Sequence, residues 1–232
     1  MLIHHKEEVL KTHGYYHVRQ TDRLFWLGRY IERVYTTAKL YADSFDRMID
    51  EEKYDYRTFC NQIDIPDIYG SKECFLERYP FDDEDPNSLS SNLTRAYDNA
   101  IVLREEIGSE VLAYVQLCIY DLQKASKSAS PMIELQLMID HIMAFWGTAD
   151  DLIASEQVRD ILKTGKRIER IDLYGRLGFP VEDLQREVHR MKFRIKKSGI
   201  PYDEQAVNGL NTLVESNQID YYEIVRIIES VV

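Results

Sequence analysis

An all-α fold is what this sequence predicts, and three observations predict it. With 10 Gly and 6 Pro in 232 residues, the chain has little material for the many tight turns of a β-sandwich or barrel. Apolar residues recur at intervals of three and four along most of its length, the period of one helical face. No segment shows sustained two-residue alternation, so no sheet is expected. The expected architecture is a multi-helix bundle, with residues 1–232 as a single domain large enough to bury a substantial core.

The elements follow in order. From Thr21 to Asp50, the residues Leu24, Leu27, Ile31, Val34, Ala38, Tyr41, Phe45 and Met48 step by three or four. Thr21 and Asp22 are N-cap residue types, so this long helix is expected to begin there. The stretch Glu51 to Ser91 is irregular, with Ile65-Pro66-Asp67 and Tyr79-Pro80 breaks, and reads as short helices joined by loops. Its acidic run Asp82-Asp83-Glu84-Asp85 lacks the central Gly of a calcium loop and reads as a solvated loop before a helix. Helical spacing returns over Ser88–Glu106 and Ser109–Lys124, with Gly108 as the stop between them. Ser130-Pro131 opens the next helix, with Ser as N-cap and Pro at the first helical position. Another spans Ser155–Leu177 and is closed by Gly178-Phe179-Pro180. Helices near Val181–Lys197, Asp203–Ser216 and Asp220–Val231 complete the chain.

Composition narrows the function classes. A hydrophobic content of 44% beside 30% charged residues describes a globular chain rather than a disordered one. The net charge of -11 argues against a broad nucleic-acid-binding face. A local exception, Arg190, Lys192, Arg194, Lys196 and Lys197, reads as the solvated end of a helix, where cations complement the macrodipole; an anion site is the other reading. Cys60, Cys74 and Cys118 are too few and too scattered for a disulfide framework or a zinc site. The opening residues do not resemble a signal peptide, and no apolar run is long enough to span a bilayer. A cytoplasmic protein that contacts neither membrane nor nucleic acid is the expectation.

One motif occurs twice. Gly28, Ile31, Glu32, Arg33 and Leu40 recur as Gly165, Ile168, Glu169, Arg170 and Leu177, each offset by 137 positions. Arg29/Lys166, Val34/Ile171, Ala38/Gly175 and Lys39/Arg176 match conservatively in the same frame. The pattern points to internal duplication or to pseudo-two-fold packing of equivalent helices. A glycine inside a helix costs about 1 kcal/mol relative to alanine, so a close helix–helix approach is expected at both. Glu32 and Arg33 are adjacent and therefore about 100° apart on a helix, too far round to pair with each other. Helices crossing at Gly28 and Gly165 would instead bring Glu32 to Arg170 and Glu169 to Arg33.

These residues resemble a family. Trp26-Leu27-Gly28-Arg29-Tyr30-Ile31-Glu32-Arg33 is similar to the signature of the bacterial Alpha-E family, an all-helical domain named for its Glu-Arg motif. Phe145-Trp146-Gly147 with Thr164-Gly165-Lys166-Arg167-Ile168-Glu169-Arg170 resembles that family's second motif, and Arg104–Glu110 a segment between the two. Members are typically longer than this chain, and Thr164 stands where an aliphatic residue is usual. The resemblance implies a setting beside circularly permuted ATP-grasp proteins and transglutaminase-like peptidases, and hence a part in ATP-dependent peptide or amide-bond modification.

The candidate site is the motif itself: Gly28, Arg29, Glu32, Arg33, Gly165, Lys166, Glu169 and Arg170. Its Glu-Arg pairs either lock the helices together or form a cleft for a carboxylate, a phosphate or acid–base chemistry; the lock is the preferred reading. Phe25, Trp26, Tyr30 and Tyr35 read as ordinary helical packing. His4, His5, His13 and His17 lack a supporting carboxylate pattern and read as surface residues, so no metal is expected, and nothing in the sequence calls for a cofactor. His141 and His189 read as hydrogen-bonded structural residues. No catalytic residue is assigned. The leading expectation is a helical accessory or scaffold protein with an ATP-grasp-type partner. The alternatives are a stand-alone enzyme using the Glu-Arg cleft on a peptide or small anionic substrate, and a homo-oligomerisation module using spare apolar faces such as Tyr221–Val232.

Overall fold

The computed structural model describes residues 2–216 and 218–232, with side chains described from residue 19 onward apart from residue 217. Every element among the described residues is helical. The histidine group at positions 4, 5, 13 and 17 lies outside the described side chains.

Helix α1 spans Leu2–Asp50 and runs straight through Thr21 and Asp22. The expected start at those two residues is therefore wrong. Ser, Thr, Asp and Asn favour N-caps because their side chains compete for backbone N–H groups, yet they sit inside helices wherever the flanking turns continue. The irregular stretch forms α2 (Arg57–Gln62), α3 (Lys72–Arg78) and a 3-10 turn at Tyr79–Phe81. Aromatic packing organises it: Phe75 stacks between Tyr56 and Tyr79, and Tyr41 of α1 stacks on Tyr79. The acidic run is a loop as expected, but it is solvated only at Asp83 and Glu84, because Asp85 is buried and accepts from the Tyr69 hydroxyl at 2.5 Å. Asp82 accepts the backbone N–H groups of Glu84 and Asp85, and Ser88 caps the helix that follows.

That helix is α4, Leu89–Val102, and it breaks at Leu103 before the short α5, Arg104–Ile107. The single helix expected up to Glu106 is thus two. Gly108 ends the second at φ +84°, a left-handed value that favours glycine. Helix α6 (Ser109–Ala125) and helix α7 (Pro131–Leu152) then form a closely packed pair. Pro131 takes the first helical position, although the Ser130 hydroxyl makes no capping bond. Between α6 and α7, His141 Nδ1 meets the buried Asp121 carboxylate at 2.5 Å.

Helix α8 covers Glu156–Arg176, with Ser155 capping Val158 N. Helix α9 covers Val181–Ser198, and Asp203 and Asp220 cap α10 (Glu204–Val214) and α11 (Tyr221–Ile228). The most extensive packing is α1 on α8. On one side of this central pair lie α4, α6 and α7; on the other lie α9, α10 and α11. The C-terminal segment is not a spare apolar face, because Ile224, Ile228 and Val231 are buried within the molecule. It seats on Gly175, where an added Cβ would stand 2.9 Å from Val225.

Candidate functional site

Two glycines position the site. A Cβ placed on Gly28 of α1 would overlap the carbonyl oxygen of Leu162, and one placed on Gly165 of α8 would overlap that of Phe25. The contacts exchange under the offset of the repeated motif, since Leu162 stands to Phe25 as Gly165 stands to Gly28. The helix backbones thus touch at the two glycines, and this close approach brings the next helical turn of each against the other.

That turn carries the charges. Arg170 Nε donates to Glu32 Oε1 at 2.5 Å, and Arg33 Nε donates to Glu169 Oε1 at 2.5 Å. Arg29 Nε adds a bond to Glu169 Oε2 at 2.7 Å. Both glutamates are wholly buried. The four residues meet as the offset requires, and none of them points into open solvent.

The two clusters differ in what surrounds each carboxylate. Burial works to raise the Glu169 pKa, but Arg33 and Arg29 together hold it below the ordinary carboxylate range. Glu32 has one guanidinium on Oε1 and a long contact from the Thr36 hydroxyl at 3.4 Å, while Oε2 has no hydrogen-bond partner among the described residues. Burial raises Glu32 above the carboxylate range, and Arg170 and Lys166 offset this only in part. Lys166, the counterpart of Arg29, lies 3.8 Å from the Trp146 ring centroid. Burial lowers its pKa to about 7, with Glu32 opposing and Arg170 and Arg167 reinforcing. Both members of this pair are pushed toward their neutral forms.

Sequence reasoning missed Glu187. It is buried on α9 among Leu184, Val188 and Met191, and accepts from Arg167 at 2.5 Å and from Arg190 at 3.1 Å. The signal was present, because a glutamate within the apolar stripe of an amphipathic helix must be buried and therefore needs cations. The same holds for Asp160, buried on α8 and bonded to Arg194. Of the basic stretch expected to be solvated, Arg190, Arg194 and Lys197 each pair with an acid, Lys197 reaching Glu156 at 3.0 Å. The segment Arg104–Glu110 lies apart from the crossing and meets α1 through Gln20 and Glu106.

A cleft of about 180 Å³ opens beside Glu169, lined by Arg33, Asp64, Asp172 and Arg176. Burial raises the Asp172 pKa, with Arg176 opposing. No group of acidic, histidine or cysteine side chains among the described residues has a metal-binding arrangement. No helix among them is long and apolar enough to cross a membrane.

The paired glycines and the reciprocal Glu-Arg bonds are the structural content of the repeated motif. No curated protein and no solved structure matches the chain. One family model does, over residues 18–195, which takes in both copies of the motif: Alpha-E, described as a predicted alpha-helical domain with a conserved ER motif. With more than half of its length matched, the chain belongs to the Alpha-E family.

Proposed function

We propose that this chain is a helical accessory or scaffold domain that acts with an ATP-grasp-type ligase in peptide or amide-bond modification. One observation carries the accessory part: both signature glutamates are wholly buried and bonded across the α1–α8 crossing. Residues used in this way hold the shape of the domain rather than act on a substrate. Function then falls to the outer surface, where Leu117 and Tyr120 of α6 and Ile133 and Leu137 of α7 are exposed. The ligase part rests on the setting that the family resemblance implies.

Co-expression with an ATP-grasp protein encoded beside it tests the proposal. The expected result is a stoichiometric complex on size exclusion and a faster ATP-dependent ligation with the chain present. A chain that elutes alone and leaves the ligation rate unchanged would overturn it.

A second reading, catalysis in the Glu-Arg cleft, is favoured by the opening beside Glu169. It requires Glu169→Gln and Arg33→Met, the pair that lines this opening, to abolish an activity while the melting temperature stays nearly intact. Large stability losses in both variants favour the accessory reading.

A further inference from the structure

Where α8 packs on α9, cations outnumber acids. Glu187 Oε2 accepts from Arg167 Nη1, and its Oε1 from Arg190 Nη1. Arg170 Nη1 and Arg186 Nε stand 3.8 and 3.7 Å from that Oε1. Arg170 is bonded in addition to Glu32, and Arg186 to Asp183. Lys166 lies close enough to feel Glu32, Arg170, Arg167 and Glu187. Lys166, Arg167, Arg170, Arg186 and Arg190 thus share Glu32, Asp183 and Glu187, a surplus of two positive charges whether Lys166 and Glu32 are both charged or both neutral. The surplus stands out in a chain of net charge -11.

The arginines differ in exposure. The Arg167 side chain is 16% exposed, whereas those of Arg186 and Arg190 are 47% and 48% exposed. Each guanidinium carries five N–H donors in a planar fork. Arg167 and Arg190 each give one hydrogen bond to the described residues, both to Glu187. Their remaining donors are left for a planar or tetrahedral oxyanion, the match that arginine makes best.

We infer that this face of α8 and α9 binds a phosphate-type dianion, held by the donors of Arg167 and Arg190 that Glu187 leaves unused, with Arg186 at the rim. A dianion neutralises the surplus of two; a carboxylate supplies half that charge and fewer acceptors. Crowding of the cations supports the assignment, because burial with the neighbouring guanidiniums lowers Arg167 as well as Lys166. An anion at this place would relieve both. The inference stands apart from the accessory-domain reading, since it concerns the arginines around Glu187 of α9 and not a ligase partner.

Thermal unfolding of the whole chain in inorganic phosphate, at an ionic strength held constant with NaCl, tests it. A saturable rise in Tm of about 3–5 °C is expected. Phenyl phosphate in a parallel arm separates the sources: an equal rise identifies a phosphate ester as an acceptable ligand, and a rise with inorganic phosphate alone identifies free phosphate. Arg186→Gln with Arg190→Gln should remove the rise. Arg190→Gln alone, at a half-exposed side chain, should weaken phosphate affinity at least tenfold in a ³¹P NMR titration, and Lys196→Gln should leave it unchanged. A rise no larger than that from NaCl, or one that survives both arginine changes, overturns the assignment.

Discussion

The two ends of the α1–α8 crossing carry the same motif in different states of completion. At one end Arg29 and Arg33 engage both oxygens of Glu169. At the other, Arg170 engages one oxygen of Glu32 while the second stays without a partner among the described residues. The difference traces to a single exchange, Arg29 against Lys166. A guanidinium reaches a buried carboxylate as a directional fork. The Lys166 ammonium turns instead to the face of Trp146, where the ring offers an attraction without a hydrogen-bond acceptor. Reciprocal backbone geometry therefore does not impose equal electrostatics, and an ammonium in place of a guanidinium leaves one buried acid short of a partner.

The largest expected effect breaks both ends together. Gly28→Ala and Gly165→Ala force the backbones apart against a carbonyl oxygen and should each cost about 3 kcal/mol in urea unfolding. Equal losses would show that the crossing, rather than either ion cluster, is the common support.

Glu169→Gln is next. It leaves two mostly buried guanidiniums short of their counter-charge and should cost about 2 kcal/mol, against about 1 kcal/mol for Glu32→Gln. Equal losses in the two variants would erase the distinction drawn between the ends. Lys166→Arg sharpens it from the other direction. A second fork beside Glu32 should raise stability by about 1 kcal/mol and bring the Glu32 pKa down.

The smallest effect is a slope. Lys166 is lowered to about 7 in the folded chain from 10.5, so between those values the unfolded chain holds the extra proton. Stability from this group therefore rises with pH across that window, and it is at its least below pH 7. Glu169 has the opposite sense: its stabilisation is present above the ordinary carboxylate pKa and is lost as pH falls through its lowered value. Comparing wild type with Lys166→Met from pH 7 to 9.5 isolates the lysine; the variant should show the flatter profile.

Much of this was legible in the sequence. The helices of the second half follow from spacing and from Ser155, Asp203 and Asp220 as caps. The Glu32–Arg170 and Glu169–Arg33 bonds follow from glycine placement and the angle between adjacent helical residues. The third bond, from Arg29, was within reach, since Arg29 and Arg33 are one turn apart and share a face. The start of α1 was not, because cap-type residues mark an N-terminus only when the preceding turn is absent. Nor was the break at Leu103, where no Gly or Pro announces a change of direction. The role of Lys166 needed coordinates: the offset places it beside Glu32, but whether an ammonium faces the acid or an aromatic ring depends on α7, far away in the chain.

The contact between Lys166 and Trp146 has a practical side. The chain has two tryptophans, and Trp26 is partly exposed whereas Trp146 is buried beneath the ammonium. In a Trp26→Phe background the emission of the remaining indole would report the local field of one titrating amine. The protein thus contains its own optical indicator at the incomplete end of the crossing, readable without a label.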